Sequence, residues 1–334
     1  MRSGLERGLI IISDSKKRFK LLFKIIITAI ILFYLVHYIS YEEILYAIKG
    51  ANKYYLVSVF FLMFLNIYLQ FLKWRVVCIS LLKVTDNNKI WNSLFYGFTA
   101  GIVTPVRVGE YLGRKLAIED ASLLRITIST IIEKFASLFI VLFVGGITAA
   151  FFLYSYYSPV YAFPLLLFPL GIIVLVSLVY KGYNFSTTTL DNLAERFSFF
   201  KNIKLELSYV KEVGHHSVKQ LLNYSLLFYI VIILQYALLA KAFDQTGEIY
   251  LFLVSGTIVM FMKSIFSFLS FADLGIRETT SVFLIDKMGY SQAVGFNSAI
   301  FLFLFNLLIP ALYGLFLLLK HEKTVDLKTN SLKN

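Results

Sequence analysis

The sequence predicts an all-α polytopic membrane protein, with about six spanning helices and two opposed hairpins arranged as an inverted repeat. Three observations predict it. Apolar runs of roughly twenty residues recur along the whole chain, the length a bilayer core demands of a helix. Hydrophobic residues make up 58% of the 334 residues and charged ones only 16%, where a soluble domain carries about a quarter charged. The basic residues fall between the apolar runs in an alternating, one-sided pattern.

Each element follows in order. Lys16, Lys17, Arg18, Lys20 and Lys24 lead into the first span, 19–40, which has no small-residue cleavage site and reads as an uncleaved anchor. Further spans are expected at 54–73, 126–153, 160–180, 219–243 and 292–319. Residues 1–18 form a basic tail, 19–320 one integral membrane domain, and 321–334 a polar tail. Residues 185–217 are polar with an amphipathic set, Leu190, Leu193 and Phe197, and read as a surface helix or loop.

Two segments break the pattern. Residues 91–118 are only partly apolar and interrupt at Thr104-Pro105. Residues 250–290 are apolar to about Ser270 and interrupt at Phe271-Ala272-Asp273-Leu274-Gly275.

Charge orients the pieces. With the N-terminus inside, the inside loops hold Lys73, Arg75, Lys83, Lys89, Arg114, Lys115, Arg125, the basic residues of 185–217 and the lysines of the tail. The outside loops hold little beyond Lys49, Lys53, Lys241, Arg277 and Lys287. Both ends are then cytoplasmic. For that parity, 91–118 must enter and leave from the inside and 250–290 from the outside, each as a re-entrant hairpin or a pair of tilted spans.

The two tips read alike. Val106-Arg107-Val108-Gly109-Glu110 and Leu274-Gly275-Ile276-Arg277-Glu278 each join a glycine, an arginine and a glutamate within a few residues. Opposed broken helices of this kind meet around a polar substrate near the bilayer midplane. An arginine at the bilayer centre costs about 2.5–3.5 kcal/mol on insertion scales, so it needs a partner or a watery pocket. The buried candidates are Arg107, Glu110, Glu133, Lys134, Lys263, Arg277 and Glu278. Cations exceed anions, which favours an anionic ligand such as a phosphate, matched by the planar arginine fork. The competing readings are structural. Arg107–Glu110 can be an internal ion pair, Glu133 and Lys134 can compensate each other, Lys263 can snorkel, and Arg114 and Lys115 can be topology signals. Gly97 and Gly101, like Gly109 and Gly113, have the spacing that lets helix backbones approach closely.

Several functions are excluded by pattern. No Walker loop, HExxH, GxSxG or zinc spacing is present, and His215-His216 lack a neighbouring ligand cluster. The net charge of +12 belongs to cytoplasmic loops and lipid headgroups, not to nucleic acid. Cys78 is the single cysteine, so no internal disulfide forms. No cofactor, metal or catalytic pair is expected.

The stretch TPVRVGEYLGR, the intramembrane Glu133-Lys134 and DLGIRETTSVFLIDKMG resemble the membrane domain of bacterial lysylphosphatidylglycerol synthases, a domain also found in stand-alone flippase-like proteins and beside glycosyltransferases that use polyprenyl-phosphate lipids. The likeness runs over about residues 18–320. It implies translocation of a modified or polyprenyl-linked phospholipid across the cell (inner or plasma) membrane. It points to Thr104, Pro105, Arg107, Gly109, Glu110, Arg114, Glu133, Gly275, Arg277 and Glu278. Only a short polar tail follows Lys320, so the aminoacyl-transferring domain of the full-length enzymes is not expected. The partner is a membrane phospholipid or polyprenyl-phosphate lipid, with a synthase or glycosyltransferase as possible companion. Headgroup-binding residues are then Thr104, Arg107, Gly109, Glu110, Arg114, Glu133, Lys134, Lys263, Gly275, Arg277 and Glu278. The alternative expectation is a membrane component or lipid-presenting subunit of an aminoacyl-phospholipid or glycolipid synthesis enzyme.

Overall fold

A computed structural model describes residues 41–102, 104, 107–180, 214–266 and 274–331, and among them every regular element is a helix. The expected first span at 19–40 and most of the amphipathic segment 185–217 lie outside the described residues. Short helix α1 (Tyr41–Lys49) precedes α2 (Lys53–Val77), which runs on through a π-turn at Cys78–Leu82. Asn52 caps α2 by accepting from the Tyr54 N–H at 3.0 Å, and Lys83, in the left-handed region at φ 58°, ends it. Then come α3 (Asn87–Ile102), α4 (Gly109–Ala117), α5 (Leu123–Tyr156) and α6 (Pro159–Tyr180). After the gap follow α7 (His215–Phe243), α8 (Ile249–Phe266), α9 (Ile276–Lys287), α10 (Gln292–Phe303) and α11 (Ile309–Ser331), the last two joined by a π-turn at Leu304–Leu308.

Five described helices are long and apolar enough to cross a membrane: Lys53–Leu82, Leu123–Tyr156, His215–Phe243, Ile249–Phe266 and Gln292–Lys320. They contain the expected spans 54–73, 126–153, 219–243 and 292–319. The fifth is the first arm of the expected second hairpin. The span expected at 160–180 is the 22-residue helix α6, Pro159–Tyr180.

The two broken segments are hairpins, and neither is a pair of full spans. At 1.5 Å per residue, α3 reaches about 24 Å and α4 about 14 Å, short of a bilayer core of about 30 Å. They run antiparallel, since Gly101 packs on Arg107 and Glu110 while Gly97 packs on Glu110 and Arg114. The Gly97/Gly101 and Gly109/Gly113 spacing acts here as expected. A Cβ on Gly109 or Gly113 would overlap the carbonyl oxygens of Ala100 or Tyr96. In the second hairpin α8 is a full arm, while α9, with 12 residues, reaches only about 18 Å.

The hairpins open on opposite faces of the bundle. The α2–α7 pair gives the reference: Asn52 N–H donates to the Ala242 carbonyl at 2.8 Å, so the start of α2 lies beside the end of α7. At the other end of α2, Arg75 Nε donates to Asn87 Oδ1 at 2.8 Å, and Lys89 pairs with Asp120 at 3.7 Å. The mouth of α3–α4 is therefore at the face where α2 ends. The mouth of α8–α9 is closed by the Glu248 N–H donating to Tyr290 Oη at 3.1 Å, next to the end of α7.

Two apolar clusters hold this frame. One joins Trp74, Ile90, Leu94, Phe98 and Ile126 around α3. The other joins Val59, Ile140, Tyr236, Val259, Phe261 and Leu284 around α8. The charged residues lie between them.

Candidate functional site

The glycine face of α3 makes room for charge. Where Gly97 and Gly101 carry no side chain, the stems of Glu110 and Arg114 and the Nε of Arg107 lie against the helix. Thr104 closes the turn: its Oγ1 accepts from the Gly109 N–H at 2.7 Å, satisfying an orphan donor at the start of α4. Arg107 itself has φ 56°, a left-handed backbone that a non-glycine residue adopts at a cost. On α4, Glu110 and Arg114 are one turn apart and share a 2.7 Å hydrogen bond.

From this turn an ion network extends into α5 and α2. The Arg114 Nη2 that donates to Glu110 Oε1 also donates to Glu133 Oε2 at 2.9 Å, and the Arg114 side chain is only 2% exposed. Its guanidinium carbon lies 3.9 Å from the centroid of the Trp74 ring, which is itself pinned by an Nε1–H bond to Ser93 Oγ at 3.0 Å. Lys73 Nζ pairs with Glu133 Oε1 at 3.0 Å and lies over the Phe228 ring at 4.7 Å. Lys134 Nζ donates to Glu110 Oε2 at 2.6 Å, and Arg107 Nη2 approaches the same oxygen at 3.5 Å. Breaking one member of such a buried network leaves its partner charged and uncompensated, typically at about 3–5 kcal/mol.

This geometry changes several expectations. Lys73 and Arg114 are not loop charges; both are buried inside the bundle. Glu133 and Lys134 do not compensate each other. Consecutive helix positions point about 100° apart, and the two groups go to different partners, Glu133 to Lys73 and Arg114, Lys134 to Glu110. Arg107–Glu110 is present but is the longest of these contacts. Lys263 is half-buried and faces the same cavity.

The second tip is built differently. Gly275, at φ 95°, donates its N–H to Glu278 Oε2 at 2.6 Å. Arg277 donates to Glu278 Oε1 from Nη2 at 2.6 Å and from Nε at 3.1 Å, so the pair is closed on itself. Residues 267–273 of this turn, like Pro105 of the first, lie outside the described residues.

Two adjoining cavities connect the tips. The larger, about 440 Å³, is lined by Lys73, Arg107, Glu110, Arg114, Glu133, Lys134 and Lys263 together with apolar residues of α5, α7 and α8. The smaller, about 70 Å³, has Arg107, Lys263 and Arg277 on its wall with Asn66, Gln70 and Asn306. Arg107 and Lys263 thus belong to both. Four amide side chains, Asn66 and Gln235 buried and Gln70 and Asn306 partly so, support the small cavity: Gln70 Nε2 donates to Asn66 Oδ1 at 2.8 Å, and Asn66 and Asn306 both donate to Gln235 Oε1, at 3.2 and 3.0 Å. Ile131 and Phe135, which line the large cavity, are also exposed on the outer surface of α5. Of the residues singled out from sequence, Thr104, Gly109 and Gly275 shape the turns; Arg107, Glu110, Arg114, Glu133, Lys134 and Lys263 converge on the large cavity; Arg277 reaches the small one, with Glu278 bound behind it.

Residues 21–314 match the family described as the lysylphosphatidylglycerol synthase TM region, the membrane part of proteins tied to phospholipid metabolism. No curated protein matches the chain. No solved structure matches it either.

Proposed function

Because the chain belongs to the lysylphosphatidylglycerol synthase membrane-region family, we propose that it binds the headgroup of an anionic phospholipid or polyprenyl-linked lipid between its two hairpins and lets it pass from one leaflet to the other. The observation that carries this reading is the sharing of Arg107 and Lys263 by both cavities, with Arg277 at the far end. A phosphate held by Arg107 from the first hairpin is one short step from Arg277 of the second. Arginine suits this handover because its fork offers parallel donors to phosphate oxygens.

The outer wall supports a lipid as the occupant. Ile131 and Phe135 bring the large cavity to the exposed side of α5, where acyl tails can stay in the bilayer while the headgroup enters. Arg114 and Glu133 then act as the fixed floor, held by Trp74 and Lys73, while Arg107, Lys134 and Lys263 face the ligand. With the charge-rich loops on the cytoplasmic side, the α3–α4 mouth is cytoplasmic and the α8–α9 mouth is external.

Native mass spectrometry of the purified protein tests this. Co-purifying phospholipid is expected on the parent and lost in Arg107→Gln, with the variant still monodisperse. A folded variant that retains the same lipid would overturn the headgroup role of Arg107.

The family name favours a second reading, a lipid-presenting membrane component of an aminoacyl-phospholipid synthesis enzyme. The two separate in reconstituted vesicles containing this chain alone: a translocase moves lipid there, whereas a presenting subunit does not.

A further inference from the structure

We propose that the small cavity is a hydroxyl subsite, in which Asn306 accepts a hydrogen bond from a neutral hydroxyl carried beside the phosphate, as on a glycerol or a sugar. Gln70, at the other end of the same amide chain, offers a second acceptor. This rests on the reading of the two cavities as a headgroup site and deepens it.

The first support is the direction of that chain. Gln235 Nε2 donates to the Val59 carbonyl oxygen at 3.5 Å, and a carbonyl can only accept. The Gln235 amide is therefore set with its nitrogen toward Val59 and its Oε1 toward Asn66 and Asn306. Both of these must donate to it, and they do, at 3.2 and 3.0 Å. With its nitrogen used on Gln235, Asn66 presents Oδ1 to Gln70 Nε2, at 2.8 Å. The reverse orientation would set two oxygens against each other at Val59. Both ends of the chain are thus acceptors, Gln70 Oε1 and Asn306 Oδ1.

The second support is what this acceptor lacks. Asn306 Oδ1 is buried and has no hydrogen-bond partner, a costly state for a polar atom. Asn306 stands on the π-turn Leu304–Leu308, an irregularity frequent at functional sites, and lines the small cavity with Arg107 and Arg277. Gln70 lines both cavities. The buried Nε of Arg107 is also without a partner. A hydroxyl accepts and donates at once, so it can take the arginine proton and give its own to an amide oxygen. A phosphodiester has no proton to give and leaves Asn306 unserved. An ammonium costs more to strip of water than two uncharged amide oxygens return, whereas a hydroxyl gives up only one or two hydrogen bonds.

The test holds charge constant and varies only the hydroxyl. The full-length protein in detergent is titrated, by native mass spectrometry, with phosphatidylglycerol and with phosphatidylmethanol of the same acyl chains, two phosphodiesters of equal charge. Phosphatidylglycerol is expected to bind about three- to tenfold more tightly, the scale of one neutral hydrogen bond. Asn306→Leu and Gln70→Met, each of similar volume to the residue replaced, are expected to move that ratio toward one, a change that a loss of stability alone does not produce. Glycerol 3-phosphate competing as well as the lipid would support the same chemistry with a soluble source, and its failure to compete would support a lipid source. Equal binding of the two lipids by the parent, as when Asn306 holds only water, would overturn the hydroxyl subsite while the headgroup reading stands. A ratio unmoved in both folded variants would overturn it too. Binding of neither lipid would overturn the headgroup reading and the subsite with it.

Discussion

Lys73 Nζ and Glu133 Oε1 are 3.0 Å apart with side chains only 4% and 6% exposed, so a lysine at the end of one apolar run and a glutamate inside another form a buried ion pair. Removing Glu133 strands Lys73, and removing Lys73 leaves Glu133 with Arg114 alone. Lys73→Met should lower stability by about 3–5 kcal/mol, and the double variant Lys73→Met with Glu133→Gln should lose less than the two single losses added together. Thermal unfolding in detergent measures the cycle. Losses that add would show that the pair carries no coupling.

The close approach of α3 and α4 depends on Gly109 and Gly113, where a Cβ would meet the carbonyl oxygens of Ala100 and Tyr96. Gly113→Ala should therefore push the hairpin apart and cost about 1–3 kcal/mol. Gly171→Ala is the control, since nothing lies within 4 Å of the Cβ it would add. Equal melting temperatures for the two variants would mean that the hairpin is looser than its geometry.

Trp74 supports the buried guanidinium of Arg114 from below and is fixed by Ser93. Trp74→Leu should keep much of the apolar packing and lose the cation–π contact, worth about 2 kcal/mol when desolvated. Headgroup affinity should fall with stability, because Arg114 anchors Glu110. Unchanged lipid binding in Trp74→Leu would detach Arg114 from the site.

The opposite mouths of the hairpins give a labelling pattern. Cys78 is buried and is the one native cysteine, so a Cys78→Ser background is clean for mapping. Asn88 and Ser291 are exposed, one at each mouth. Cysteines there should react with an impermeant thiol reagent from opposite sides of sealed vesicles, Asn88→Cys from the cytoplasmic side. Labelling of both from one side would contradict the opposed arrangement.

Much of this was legible in the sequence, for identifiable reasons. Parity of basic loops forces hairpins, and the glycine spacing at 97/101 and 109/113 foretells a tight pair. Arg107, Glu110, Glu133 and Lys134 stand out because charge is rare among apolar residues. Lys73 does not stand out: it sits at the end of an apolar run, where a lysine ordinarily marks a loop, and its partner is sixty residues further on. Arg114 reads the same way, beside Lys115 in a basic pair. Only the packing of α2 against α5 shows that both turn inward. The partners of Glu133 and Lys134 were also hidden, because adjacency along the chain suggests a pair, while the two side chains leave the helix toward different partners.

On the proposed reading, a headgroup passes through the cavity shared by Arg107, Lys263 and Arg277. The most direct measurement is transbilayer movement of a fluorescent anionic lipid in vesicles containing the purified protein, followed by impermeant quenching. The parent should move the lipid well above protein-free vesicles. Arg107→Gln and Arg277→Gln, each folded and reconstituted to the same density, should reduce movement to near that background. Equal movement in parent and both variants would contradict the account, and so would none by the parent.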